Sequence, residues 1–481
     1  MADTVQDNRY ARAPHLWALG VGAVISGDFF GWQTALSAGF LGLVVNLVLA
    51  SVLYILLSFS IAELSTSVPC GGGPYAFAHR ALGSTSAYFA GLAEVLKVVV
   101  TVAVIAVGIG AYMNQLLKLE EGHGPIWWVV FYVLFTVLNL IGVALSFRVQ
   151  VAATVLSVVI LIVFYIGAIS YVDYGLWVRD QDWEWKDGAS GLVNGFSFSM
   201  WFFLGIEELP LAVEDTIDPQ VNMPRGLISS IVTLFVLAFS TAFFNTTISP
   251  GASAIFESAS PLLDGYKTVF GDNSVTSGFS WLLIVGLLAS FHSFIYCMGR
   301  LVMAMARDGF LPAILANVHP IRQTPTAGIL AGTSIGLVTV IVMYYAIGFI
   351  RLGAVLINLA LLGALISYAF QLVSFLALRV REPDLARPYR SPFGMPGALL
   401  CLGLVAYALF TIVYQGAGSS DFLVSIVIAI LYFVLGAAWF AGVARHHIKP
   451  LSVIHQGERQ GYVGADSPHA ASLTKESTAL A

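Results

Sequence analysis

Apolar stretches of about 20 residues, parted by short polar segments, recur along almost the whole of this chain. A run of that length crosses a roughly 30 Å hydrocarbon core as a helix. The pattern predicts about twelve such helices, at 16–36, 40–64, 86–117, 126–147, 151–172, 192–213, 226–248, 278–305, 326–347, 352–378, 397–416 and 421–443. The runs lack the strict alternation of barrel strands, so helices must satisfy the backbone in lipid. Two runs are interrupted. The first contains Val24-Ile25-Ser26-Gly27-Asp28-Phe29-Phe30-Gly31, and the sixth contains Phe203-Leu204-Gly205-Ile206-Glu207-Glu208, with the helix-breaking Pro210 just beyond. Segments 1–5 and 6–10 read as two halves of matching length, each opening on a broken helix. Such breaks at corresponding places are the sequence sign of a secondary transporter with its binding site at the breaks. The expected fold is therefore all-α and integral to the membrane. It is a five-plus-five inverted repeat with discontinuous helices 1 and 6, repeat one at about 16–172, repeat two at about 192–378, and extra helices at about 397–443. No strong residue-level repeat joins the halves, so the symmetry is a structural inference.

Composition supports this. The 481 residues are 58% hydrophobic and 10% charged, whereas soluble domains carry about a quarter charged residues. Residues 1–15 are polar and lack the apolar core of a signal peptide. They are expected to be a cytoplasmic segment before a transporter domain at 16–445, with 446–481 a polar, disordered cytoplasmic tail. Of the 22 Lys and Arg, Lys118, Arg179, Lys186, Lys267 and Arg351 fall on one set of loops and Lys97 inside the third run. The other sixteen lie on the opposite side, which the positive-inside rule places in the cytoplasm. A multi-pass protein of the plasma membrane with both termini inside is the expectation.

Three cysteines imply no disulfide framework. Asn245-Thr246-Thr247 is a glycosylation sequon close to a span end. Gly332-Thr333-Ser334-Ile335-Gly336 matches a nucleophile elbow but sits in a membrane span with no strand before it, a chance match. Metalloprotease and ATP-binding motifs are absent from the sequence. An enzyme, a metal, a cofactor and a nucleic-acid partner are not expected. The expected partners are a small-molecule amine or amino acid, protons and membrane lipid; the oligomeric state stays open.

Several motifs occur in order. Gly20-Val21-Gly22 precedes Ser26-Gly27-Asp28-Phe29-Phe30-Gly31, and Pro69-Cys70-Gly71-Gly72-Gly73-Pro74-Tyr75 and Arg80-Ala81-Leu82-Gly83 come after the second run. Trp201-Phe202-Phe203-Leu204-Gly205-Ile206-Glu207 lies in the sixth run, with Glu214-Asp215 and Asn222-Met223-Pro224-Arg225 between it and the seventh. Ala304-Met305-Ala306-Arg307-Asp308-Gly309 comes at the end of the eighth run, and Arg387-Pro388-Tyr389-Arg390 after the tenth. Through these residues the chain resembles the amino acid–polyamine–organocation (APC) transporters, over about residues 12–445. The first break, with Asp28 and Trp32, looks most like the ethanolamine permease branch. Many relatives have a small residue near position 28 that leaves room for a substrate carboxylate, so the aspartate points away from ordinary amino acids. The resemblance places Thr101 near the substrate, Trp201 as an aromatic gate, Phe294 at a second aromatic position, and Glu207 where proton-sensitive relatives carry a carboxylate.

The candidate substrate-binding residues are Ser26, Gly27, Asp28, Gly31, Thr101, Trp201, Leu204, Gly205, Ser290 and Ser293. Gly27 and Gly31 free backbone groups for a cargo, or form a small-residue packing face. Asp28 pairs with a cargo ammonium, pairs internally with Lys97, or is a proton site. Glu207, Glu208 and Lys97 are the candidates for proton coupling, because a carboxylate in a dry site can take up a proton; alternatively Glu207 braces the two half-helices. Glu94, Lys97 and Thr101 share one face of the third helix. Lys97 stands in for a coupling cation between the half-helices, or pairs with Glu94 at i,i+3. Trp201 and Phe294 are gating candidates against a background of ordinary aromatic packing, since aromatic faces attract cations. The expected function is proton-coupled import of a small organic amine, ethanolamine first, by alternating access. An amino acid or polyamine permease of the same fold and a transporter-shaped amine sensor are the alternatives.

Overall fold

The computed structural model describes residues 9–176, 184–271 and 274–449, and these are helical throughout apart from turns, loops and one isolated bridge between Ala11 and Thr216. Among the described residues twelve spans succeed one another. Span 1 is Ala13–Val24 and Ser26–Phe29, and span 2 is Gly39–Ser67. Span 3 is Ser84–Leu117, span 4 Gly124–Ile141 and span 5 Val143–Ala168. Span 6 comprises Gly188–Ser199 and the tighter turns Met200–Phe202 and Ile206–Asp215. Span 7 is Pro219–Thr247, span 8 Ser274–Arg307 and span 9 Thr326–Ile347. Span 10 is Phe349–Arg381, span 11 Gly394–Gly418 and span 12 Ser420–Gly442. Among the described residues eleven helices are long and apolar enough to cross a membrane; the broken span 1 is the twelfth span. The repeat shows in the lengths. Spans 2 and 7 each have 29 residues, and spans 3 and 8 each have 34.

Burial separates the core from the lipid face. In span 3 the most apolar window is 94% buried, whereas in span 12 it is 11% buried. Span 3 is the hub, with span 10 along one side and span 8 along another, while spans 1 and 2 pack on span 7. Gly363 of span 10 permits its close approach to span 3. A Cβ there would lie 2.8 Å from both the Ala93 carbonyl oxygen and the Lys97 amide nitrogen. Span 4 presents Val133 and Val137 outward, and span 12 presents Leu431 and Leu435, as lipid requires.

Three expectations from the apolar pattern are corrected. The first helix stops at Phe29 rather than running to 36; Gly31 turns the chain and Trp32–Ala38 continue as a tight 3-10 segment. Span 4 ends at Ile141 and span 5 begins at Val143, so Arg148 and Gln150, expected between helices, lie on span 5, as does Ser146, expected at the end of span 4. The polarity of Arg148 and Gln150 suggested a loop, but Gln150 is buried and donates to the Ala18 carbonyl and to Thr154. Span 7 begins at Pro219, which places Asn222-Met223-Pro224-Arg225 in its first two turns. The sequon residues Asn245, Thr246 and Thr247 are fully buried in that helix. Arg179, residues 180–183, residues 1–8 and the tail from 450 lie outside the described residues.

Candidate functional site

The two breaks meet at the centre. In an unbroken helix the Ser26 amide would bond the Gly22 carbonyl four residues back. Here the Ser290 hydroxyl of span 8 stands between them: it accepts from Ser26 N at 2.9 Å and donates to Gly22 O at 2.7 Å. A side chain thus holds span 1 open. Gly31 then adopts φ +96°, and Gly205 at the span 6 break adopts φ +120°, a region where an L side chain is strained. Space matters as much as backbone angle. A Cβ on Gly27 would lie 2.7 Å from the Trp201 carbonyl oxygen, and one on Gly31 2.7 Å from Trp201 Nε1. Trp201 Nε1 donates to the Phe30 carbonyl at 2.8 Å, locking one break onto the other. Phe294 packs on Gly205, where a Cβ would meet its ring at 2.9 Å. Ser26, Gly27, Gly31, Trp201, Leu204, Gly205, Ser290 and Phe294 are therefore brought together, all buried. Ser293 spends its hydroxyl on the Ala289 carbonyl of its own helix at 3.1 Å and reaches Leu19 O of span 1 only at 3.5 Å.

Beside the breaks lies an ionic cluster with no exposed side chain. Lys97 Nζ is 2.6 Å from Glu94 Oε1, 2.9 Å from Glu207 Oε1 and 2.7 Å from Glu208 Oε1. Lys97 thus makes the i,i+3 pair within span 3 and also bridges to the span 6 break. Tyr368 of span 10 donates to Glu207 Oε1 at 2.6 Å, and Tyr54 of span 2 is 3.1 Å from the Tyr368 hydroxyl. Ser367 donates to Glu94 Oε2 at 2.5 Å. Glu207 Oε2 accepts from the Gly205 amide at 3.0 Å, which caps the broken turn. Glu208 Oε2 has no hydrogen-bond partner. Three carboxylates share one ammonium, tying spans 2, 3, 6 and 10 together.

Asp28 is not in this cluster, and the internal Asp28–Lys97 pair is not formed. Asp28 Oδ1 accepts from Thr241 of span 7 at 2.7 Å, and Tyr165 of span 5 lies 2.6 Å from the Thr241 hydroxyl. Asp28 Oδ2 is buried without a hydrogen bond, as is the Thr101 hydroxyl, one turn beyond Lys97. These are unspent acceptor and donor capacities beside the breaks.

On the side where the chain begins, the helix ends are laced shut. Arg300 is 2.7 Å from Asp215 Oδ2, and Tyr296 donates to the same carboxylate at 2.5 Å. Arg307 meets Glu214 at 2.8 Å, and the Tyr75 hydroxyl bonds Asp308. Arg379 and Arg387 converge on Glu63, at 2.5 and 3.3 Å. The backbone adds a latch, with Tyr10 N and Ala11 N donating to Asp215 O at 2.9 and 2.8 Å. Arg307 and Asp308 thus tie the end of span 8 to the end of span 6 and to the short helix Pro74–Leu82. The Arg300–Asp215–Tyr296 triad, Tyr54, Tyr368, Ser367 and Thr241 were not singled out from sequence. Only the Glu214-Asp215 dipeptide pointed near any of them.

A broken-helix inverted repeat with its polar groups gathered at the two breaks defines a secondary transporter of the APC fold, and not an enzyme. The amino acid permease family matches residues 15–446, and the chain belongs to that family. Among similar proteins is the methylthioribose transporter of Bacillus subtilis (strain 168), 27% identical and covering 87% of this chain and 91% of its own length. The branched-chain amino acid permease BcaP of the same organism is 25% identical over 90% of this chain and 92% of its own. A crystal structure of a manganese transporter variant from Eremococcus coleocola superposes with a TM-score of 0.59 at 18% identity. It covers 89% of this chain and 92% of that one, and shares the fold.

Proposed function

We propose that this permease imports a small organic amine, ethanolamine first, by proton-coupled alternating access. It would act in the plasma membrane with both termini in the cytoplasm. One observation carries the reading: four fully buried carboxylates, Asp28, Glu94, Glu207 and Glu208, lie at or beside the breaks, and among the described residues Lys97 alone supplies a cation, shared by Glu94, Glu207 and Glu208 and not by Asp28. Buried acid in excess of base is costly in a membrane interior unless cations or protons match it. An ammonium cargo and a transported proton supply that match. In this reading Asp28, Thr101 and the freed backbone at Ser26–Gly31 and Leu204–Gly205 hold the cargo, with Trp201 and Phe294 closing over it. Ser290 and Ser293 set the site's wall. Lys97, Glu207 and Glu208 carry the coupling.

The test is uptake into proteoliposomes. Labelled ethanolamine is expected to accumulate when the outside is more acidic and to be outcompeted by glycine or serine about tenfold less well than by itself, since their carboxylates face Asp28. Asp28→Asn should shrink that preference. Equal competition by the zwitterions would move the reading to an amino acid permease of this fold. That second reading is favoured by relatives named for branched-chain amino acids.

A further inference from the structure

The chain between spans 7 and 8 covers the span 1 break on the side away from the N-terminus. It forms two short helices, Ala252–Phe256 and Pro261–Phe270. The first packs on the Trp32–Ala38 segment that follows the break, and the second on Ser26–Phe29 itself. The second is clasped to span 3. Gln115 Nε2 donates to Asp264 Oδ1 at 3.2 Å, and the Ser260 hydroxyl donates to Gln115 Oε1. The Ser258 hydroxyl donates to Asp264 Oδ2, so one carboxylate ties this loop both to itself and to the bundle.

Three backbone groups at the break are held by side chains. The Tyr112 hydroxyl of span 3 donates to the Phe29 carbonyl at 2.6 Å, and Trp201 of span 6 donates to the Phe30 carbonyl. The Gly31 amide donates to Gln33 Oε1 at 2.8 Å. Gln33 differs from the other two in where its second polar atom goes. Its Nε2 donates at 3.0 Å to the carbonyl of Ser258, in the linker between the two short helices. The two bonds fix the amide: only with oxygen towards Gly31 and nitrogen towards Ser258 are both made. The side chain is buried. Breaking its bond to Gly31 therefore leaves a buried amide unpaired, which is costly. A loop that lifts with Gln33 in place pulls on Gly31, and a break that widens pulls on the loop.

We infer that Gln33 is a positioning residue for transport: it joins the turn at Gly31 to the Asp264-clasped loop between spans 7 and 8, so that the break and its cover open as one piece. The test is hydrogen–deuterium exchange of the full-length protein in lipid nanodiscs, read by mass spectrometry, with no cargo added. Asp264→Ala removes the clasp without touching Gln33. The peptide carrying Ser258 should then exchange faster, and the peptide carrying Gly31 about fivefold faster with it. Gln33→Met keeps the side chain's length but can make neither bond. It should speed exchange at Gly31 by itself, and Asp264→Ala added to it should speed the Ser258 peptide alone. If Gln33 only filled space, Asp264→Ala would change the Gly31 peptide equally in both backgrounds, and that result would overturn the inference. So would a Gly31 peptide, or a Ser258 peptide, that Asp264→Ala leaves unmoved in the otherwise unaltered protein. Should Gln33→Met not fold, the response of the Gly31 peptide to Asp264→Ala decides alone. No arm involves the transported cargo, so failure here is distinct from failure of the amine reading.

Discussion

Lys97 is the residue on which the centre depends. Its ammonium is the shared partner of Glu94, Glu207 and Glu208, all without solvent. Removing one partner of a buried ionic group costs about 3–5 kcal/mol, mostly because the remaining charge is stranded. Lys97→Met is therefore expected to lower thermal stability by about that much in detergent, and combination with Glu207→Gln should recover part of it. Glu207→Gln alone makes a different prediction. Glutamine keeps the shape of a protonated glutamate but cannot titrate. On the proton-coupled reading proposed above, uptake by the unaltered protein should rise as the external medium becomes more acidic. In Glu207→Gln that slope should flatten while binding persists. An unchanged slope, with a flat one in Lys97→Met, would assign the proton to span 3. At this scale the sequence was legible where a charge interrupted an apolar run, as at Asp28, Lys97 and Glu207. Tyr54, Tyr368 and Ser367 were not legible, because tyrosine and serine are ordinary in membrane helices and nothing local marks which ones face a carboxylate. The partner of Asp28 was missed for the same reason: Thr241 is one hydroxyl among several in span 7.

Among the elements, span 1 shows how a break is maintained. Gly27 and Gly31 allow close approach, but the Ser290 hydroxyl is what occupies the gap in the helical ladder. In Ser290→Ala, Ser26 N and Gly22 O either lose their partners or rejoin each other. The first outcome costs about 1–3 kcal/mol, and the second straightens the helix. Initial uptake in Ser290→Ala should therefore fall by more than its thermal shift accounts for, and Ser290→Thr should restore both. Uptake and melting unchanged together in Ser290→Ala would show that the hydroxyl does not hold the break. Element positions were mostly legible from run length. The boundary between spans 4 and 5 was displaced because Arg148 and Gln150 were read as a loop. Gln150 is instead polar inside the bundle, where it donates to the Ala18 carbonyl and to Thr154. A polar position in a membrane protein faces other protein as readily as water, and run length cannot distinguish the two.

For the whole molecule, the lacing at the N-terminal side joins ends of spans 2, 6, 8 and 10 with charged groups. Arg300→Gln removes the cation that holds Asp215 and is expected to loosen that side. A cysteine at Thr101 should then react with a thiol reagent applied from that side several-fold faster than in the Arg300 background. On the other side Gln115 donates to Asp264 at 3.2 Å, and the Lys186 ammonium lies over the Phe256 ring. Ion pairs at partly exposed positions, such as Arg307 with Glu214, weaken as electrolyte accumulates around them. The lacing is thus a fastening sensitive to salt: the ionic strength of the compartment it faces bears on how firmly that side is held.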